Sequence, residues 1–159
     1  MNKSTLAATS LAVAVAGGSG SIASAKAVPA WYARLRKPPY QPPNAAFPVA
    51  WTTLYGDIAV TSAVAIDRFR AAGQYDKARR YTAALGLNLV LNAAWSWLFF
   101  RFHKLGASAV GAAALTASSV DLTRRTAQAD PRAGLALSAY PLWCSFATVL
   151  ATHVWRLNR

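Results

Sequence analysis

AGLALSAYPLWCSFATVLATHVW, residues 133–155, lies between Arg132 and Arg156 and contains no charged side chain. A helix crosses the hydrocarbon core of a bilayer with about 20 mostly apolar residues, so this stretch reads as a membrane span. Four earlier runs read the same way. Ser4–Ala25 sits between Lys3 and Lys26, and Ala46–Ile66 carries a single acid, Asp57. Tyr81–Phe100 is bounded by Arg80 and Arg101, and Leu105–Thr123 is interrupted only by Asp121 near its end. The runs predict helices over about residues 4–25, 46–67, 79–100, 105–124 and 133–156. The expected fold is an all-α membrane protein, a bundle of five transmembrane helices with a proline-rich loop between the first two, residues 1–159 forming a single transmembrane domain.

Composition agrees. Of 159 residues 55% are apolar and 14% charged, against about 25% charged in a typical soluble domain. Such a chain is too apolar for disorder. A soluble bundle would show a polar stripe on each helix; these runs lack charge over whole turns. Strands would alternate, whereas Ala and Leu dominate here. The net charge of +12 comes from 17 Lys and Arg against five Asp and no Glu. The cations stand in short islands between uncharged runs, not along one face of a soluble fold, so no nucleic-acid partner is expected; the lipid bilayer is.

Catalytic and metal sites find no support. A lone cysteine, Cys144, excludes an internal disulfide and a multi-Cys site. His103 and His153 join no cluster with metal-ligand spacing, and neither a Gly-rich phosphate loop nor a serine elbow is present. No catalytic residue, metal ligand or covalently bound cofactor is assigned.

The first run has two readings. Lys3, the apolar Leu6–Ala16 and Ala23-Ser24-Ala25 spell a cleavable secretory signal; the generous length and Gly17-Gly18 instead suit a packed first helix. Orientation is not decided either, because nine Lys and Arg fall on one side of five helices and eight on the other.

Between the first two helices runs Trp31-Tyr32-Ala33-Arg34-Leu35-Arg36-Lys37-Pro38-Pro39-Tyr40-Gln41-Pro42-Pro43. Its prolines stiffen the chain. The aromatics and cations fit an interfacial anchor; they equally fit a lid whose Arg34, Arg36 and Lys37 meet the carboxylates of an anionic ligand. In the third run Asn88, Asn92, Trp95 and Phe99 share one helix face. Trp143, Ala147 and Leu150 do so in the fifth, and Trp51 and Tyr55 in the second. Aromatic stripes often serve packing alone, but three of them, with buried amides and a proline-rich cover, outline a pocket for a flat apolar ligand. The small residues Gly106, Ala107, Ser108, Gly111 and Ala112 to Ala114 allow close packing of the fourth helix, within the bundle or across a homodimer. Asp57, an intramembrane acid, is a candidate for a structural role, with Thr53 and Thr61 satisfying a neutral carboxyl, or for a proton-coupled or ligand-polar one. Asp121 pairs with Arg124 and Arg125 at a helix end.

Taken together, Trp31-Tyr32, Leu35, Lys37-Pro38, Pro42-Pro43, Phe47, Trp51, Leu54-Tyr55, Leu91-Asn92, Trp95, Phe99-Phe100, Trp143, Phe146-Ala147-Thr148, Leu150 and Trp155-Arg156-Leu157-Asn158 resemble the tryptophan-rich sensory protein family, TspO/MBR, whose animal members are the translocator protein or peripheral-type benzodiazepine receptor. The resemblance implies a five-helix bundle, often dimeric, whose first loop caps a pocket between the helices. It implies binding of porphyrins such as protoporphyrin IX or haem-like tetrapyrroles, and in some members sterols and benzodiazepine-type drugs. Carried over residue by residue, the pocket falls on Tyr32, Pro42, Trp51, Asn92, Trp95, Trp143, Ala147 and Leu150. Departures occur at Asn88 (often Gln), at Ala139-Tyr140-Pro141, where the proline is displaced, and at Leu150-Ala151 (usually Leu-Asn). Thr152 and His153 stand where the animal sterol motif has its tyrosine, which weighs against a sterol role. The implied function is tetrapyrrole binding with a sensory or regulatory role in tetrapyrrole homeostasis or stress. Transport of the same ligands and light-dependent porphyrin breakdown are the alternatives.

Overall fold

The computed structural model describes residues 1–159 and consists of helices and short connections. In order they are α1 (Lys3–Ala25), α2 (Ala46–Ala71), α3 (Tyr75–Ser96), α4 (Leu105–Ala129), α5 (Pro131–Leu137) and α6 (Ala139–Leu157). Five stretches are long and apolar enough to cross a membrane, with α3 continuing to Arg101 and α5 and α6 together making the fifth. Large apolar side chains face outward along them: Leu135 is 76% exposed, Ile22 73% and Val110 71%. An outer surface of this kind is stable against lipid tails and costly against water.

Helix ends depart from the uncharged runs. α2 continues to Ala71, α3 begins at Tyr75 and α4 continues to Ala129. Charge bounds the hydrocarbon-length segment and not the helix, because Arg and Lys near a helix end extend their heads to the interface while the backbone stays hydrogen-bonded. The fifth span is not one straight helix: it is interrupted at Ser138. Pro141 has no N–H for the Leu137 carbonyl, so the ladder breaks one turn upstream. Asp130 starts α5 by accepting from the backbone N–H of Arg132 (3.0 Å) and Ala133 (3.1 Å), and pairs with Arg68 of α2 at 3.2 Å. The Ala133 and Arg132 N–H groups, with the Arg68 guanidinium, hold its carboxyl below the usual carboxylate range.

The expected first loop begins later than its sequence suggests. Val28–Tyr32 forms a wide π-helical turn, closed by Tyr32 N–H to Ala27 C=O at 2.9 Å. Trp31 and Tyr32 therefore sit on a helical post, and the irregular strap is residues 35–45. A second wide turn, Trp97–Arg101, ends the third span. Turns of this kind are insertions that re-aim side chains, and both carry aromatics.

The residues of α1 form the first helix of the bundle. Thr9 Oγ1 donates to the Ala59 carbonyl of α2 (2.9 Å), and Trp97 Nε1 donates to Ser19 Oγ (2.9 Å). The small residues of α4 divide: Gly106 lies against Trp155, Gly111 against Leu98 and Trp95, and Ser108 and Ala112 are buried, whereas Ala107, Ala113 and Ala114 face outward. The core centres on Tyr81, Tyr140, Ile58, Leu122 and Leu137. Tyr81 Oη donates to Ser62 Oγ at 3.0 Å and lies 2.8 Å from Thr126 Oγ1.

Tightest of the glycine positions is Gly134 of α5, where an added Cβ would collide with the Ala127 backbone and side chain of α4. By contrast Gly86, also helical, has nothing within 4 Å of that position. Gly134→Ala is expected to destabilise by about 1–3 kcal/mol through overpacking, whereas Gly86→Ala leaves stability level or higher. Thermal unfolding of the detergent-solubilised variants checks the contrast.

Candidate ligand-binding cavity

At the strap end of the bundle, α1, α2, the end of α3 and α6 line a partly open cavity of about 250 Å³. Each wall has a local cause. Phe47, Trp51 and Tyr55 recur at i, i+4 and i+8 on α2, so they project in one row. Trp95 of α3 and Phe99 of the wide turn stack with centroids 5.4 Å apart and planes at 20°. Trp143, Ala147 and Leu150 form the α6 row. The α1 wall is made of what is missing: a Cβ at Gly17 would lie 2.8 Å from Tyr55 Cε2, and one at Gly20 would lie 2.9 Å from Ser96 Oγ. Ser21 and Ser24 continue this small-residue face.

Aromatic rings meet edge to face around the space. Trp51 and Trp143 stand at 89° with centroids 6.5 Å apart, and Phe47 meets Trp143 at 67° and 6.0 Å. Tyr32 closes the strap end and lies edge-on to Phe99 and Phe100. Burial pushes the Tyr32 phenol up to about 12, so it is neutral at physiological pH. The indole Nε1 of Trp143 is buried and donates to no protein atom; the only other buried polar atom of that kind is Gln41 Oε1 in the strap.

The sequence-derived residues divide. Tyr32, Trp51, Trp95, Trp143, Ala147 and Leu150 converge on the cavity wall. Asn92 and Pro42 do not reach it. Asn92 lies behind the wall, 3% exposed, where its Oδ1 accepts from Tyr55 Oη (2.8 Å) and its Nδ2 donates to Tyr140 Oη (3.4 Å). Tyr140 donates onward to Asn88 Oδ1 (2.8 Å), and Asn88 Nδ2 to Ser118 Oγ (3.1 Å). Its face was right; its depth put it in a support chain.

Arg34, Arg36 and Lys37 also stay off the wall. Lys37 Nζ sits 4.6 Å above the Tyr32 ring and is bonded to the Ala33 carbonyl at 3.4 Å. Asp57 is half-buried on α2 and outside the cavity. The expected help from two threonines fails: Thr61 donates to Asp57's own backbone carbonyl (2.6 Å) and Thr53 to that of Val49 (3.0 Å). Sequence reading missed Gly20, Ser21, Ser24 and Val28. The spacing of Gly17, Gly20, Ser21 and Ser24 at i, i+3, i+4 and i+7 was the available signal.

Charge is distributed unevenly along the bundle. The cavity end carries Lys26, Arg34, Arg36, Lys37, Arg101, Lys104, Arg156 and Arg159, and no acidic side chain. Every ion pair lies at the opposite end, among Arg68, Asp130, Asp121, Arg124 and Arg125.

Replacing Tyr55 by Phe strips the Asn92 Oδ1 of its donor within the bundle. An orphaned buried acceptor costs about 1–3 kcal/mol, so Tyr55→Phe is expected to lower thermal stability in detergent; an unchanged melting temperature would show that the support chain is not needed.

Residues 8–156 match the family model described as the TspO/MBR family. The chain is 35% identical over 158 residues to the tryptophan-rich protein TspO of Archaeoglobus fulgidus, covering 99% of each. It is 33% identical over 153 residues to protein CrtK of Rhodobacter capsulatus, covering 93% of this chain and 89% of that one. With the human translocator protein it shares 32% over 131 residues, 80% of this chain and 75% of the other.

Proposed function

This integral membrane protein belongs to the TspO/MBR family, and from that premise we propose that its cavity binds tetrapyrroles of the protoporphyrin or haem type, and that occupancy serves a sensory or regulatory role in tetrapyrrole homeostasis. The observation that carries the reading is the cavity itself: indoles of Trp51, Trp95 and Trp143 around an apolar space, with one buried indole N–H lacking an acceptor. Flat π-systems are held by stacked and edge-on rings. A ligand acceptor atom satisfies the Trp143 donor, and the acid-free end of the bundle favours carboxylates there. Arg34, Arg36 and Lys37 meet those carboxylates when the strap moves. Ala147 and Leu150 leave room on the α6 side, Tyr32 and Pro42 belong to the cover, and Asn92 acts through Tyr55.

Size sets how much of a ligand the wall holds. The space of about 250 Å³ is close to the lower end of the range for drug-sized ligands, about 300–1,000 Å³, so a macrocycle fills it and extends through its open side. Among the lining side chains only the phenols of Tyr32 and Tyr55 titrate, so binding, and not acid–base turnover, is the output the wall is built for. The same apolar wall accepts other small hydrophobic ligands.

Titration of the purified protein with protoporphyrin IX is expected to quench tryptophan fluorescence saturably. Trp51→Phe/Trp143→Phe should weaken binding about tenfold, the loss of ring area and of the indole donor amounting to about 1.4 kcal/mol. Equal affinity in wild type and double variant would remove these residues from the site. A new absorbing product that needs wild-type protein, light and oxygen would move the reading to porphyrin breakdown.

A further inference from the structure

The carboxy-terminal Trp155–Asn158 motif has no part in the cavity wall, yet it reaches the strap. Asn158 Oδ1 accepts from the Arg36 backbone N–H at 2.9 Å, and Asn158 Nδ2 donates to the Arg36 carbonyl at 2.8 Å and to the Val154 carbonyl at 2.8 Å. Both amide hydrogens are used. The needs of Arg36 fix which end of the amide is oxygen. This pairing copies the exchange of N–H and C=O between two residues of an antiparallel ladder, made here by one side chain. Val154 contributes a carbonyl left over at the end of a helix, so α6 sets the orientation of the amide.

The post is firm. Trp155 lies against α4, where a Cβ on Gly106 would sit 3.2 Å from its Nε1. Arg36 belongs to no helix, and without Asn158 both its backbone groups would turn to solvent. The strap's other ties to α6 are side chain to side chain: Tyr40 Oη lies 3.0 Å from His153 Nδ1 with Tyr40 44% exposed, and the Tyr40 ring stands edge-on to Phe146 at 6.4 Å. Val28 and Tyr32 before the strap and Phe47 after it line the cavity, and of the strap itself Asn44 does so. The strap thus joins two parts of the rim, and its displacement shifts Asn44 and widens the mouth between them.

We propose that Asn158 is the latch of this strap: a positioning residue that, by pairing with the Arg36 backbone, holds the first loop over the cavity and sets how fast ligand enters and leaves. The ligand part rests on the cavity being a binding site, as inferred above; the latch itself does not.

Asn158→Ala and Asn158→Asp in the full chain, reconstituted in lipid nanodiscs, separate the two. Peptide-resolved hydrogen exchange is expected to run about tenfold faster over residues 33–43 in Asn158→Ala, the size of two part-exposed hydrogen bonds. Asn158→Asp keeps the acceptor for Arg36 N–H and loses both donations, so its rise should be smaller, about threefold. Exchange over residues 145–153 should not change. In stopped-flow quenching by protoporphyrin IX, association and dissociation should both accelerate in Asn158→Ala, leaving affinity within about threefold, whereas loss of a wall contact accelerates dissociation alone. Unchanged exchange over residues 33–43 overturns the latch, as does an equal rise over residues 145–153, which would reduce Asn158 to a helix cap. Faster strap exchange with an unaltered association rate overturns the gating role. Should wild type fail to bind protoporphyrin IX, the tetrapyrrole reading falls and the exchange result still decides the latch.

Discussion

Hydrocarbon offers no hydrogen bonds, and that constraint organises this molecule. Each backbone group in a span must be satisfied within its helix, and each polar side chain must find a partner inside the bundle. The chain from Tyr55 through Asn92, Tyr140 and Asn88 to Ser118 answers it across α2, α3, α6 and α4. Tyr81, Ser62 and Thr126 answer it between α2, α3 and α4. Lipid tails are as apolar as leucine, so such bonds and close backbone packing, more than burial of apolar area, select the arrangement of the helices.

The cavity follows from the same constraint. Small residues on α1 let it approach Tyr55 and Ser96 but leave nothing to fill the space beyond them. Bulky rings on α2, α3 and α6 stop those helices from closing the gap. Tyr55 belongs to both systems, with its ring in the wall and its hydroxyl in the polar chain. Wall geometry and bundle stability are therefore coupled through one side chain. At the strap end, the irregular backbone tolerates its exposure because it lies at the interface, where Asn158 and solvent serve its polar groups.

Spans were legible because the signal is thermodynamic: a charge inside about 20 residues of hydrocarbon is costly, so uncharged runs bracket each crossing. Their helical ends were not, since a helix continues wherever Arg68, Arg70 or Arg125 can extend its head to the interface. The break at Ser138 was encoded three residues later, in Pro141. Convergence of Trp51, Trp95 and Trp143 was readable from helical spacing joined to the family resemblance. Depth was not: spacing gives the face of Asn92 but not whether a phenol stands between it and the cavity. Thr61 misled because a helical threonine satisfies its hydroxyl on the carbonyl four residues back, here that of Asp57. The α1 wall went unread because glycine and serine mark a cavity only once the opposite wall is known.

Induced circular dichroism in the Soret band tests the central claim directly, since a porphyrin acquires it only when fixed in a chiral setting. With the protein in lipid nanodiscs, protoporphyrin IX is expected to develop a signal that saturates at about one equivalent per chain. A signal that is absent, or that grows without saturation as in protein-free nanodiscs, would contradict a tetrapyrrole site within the bundle.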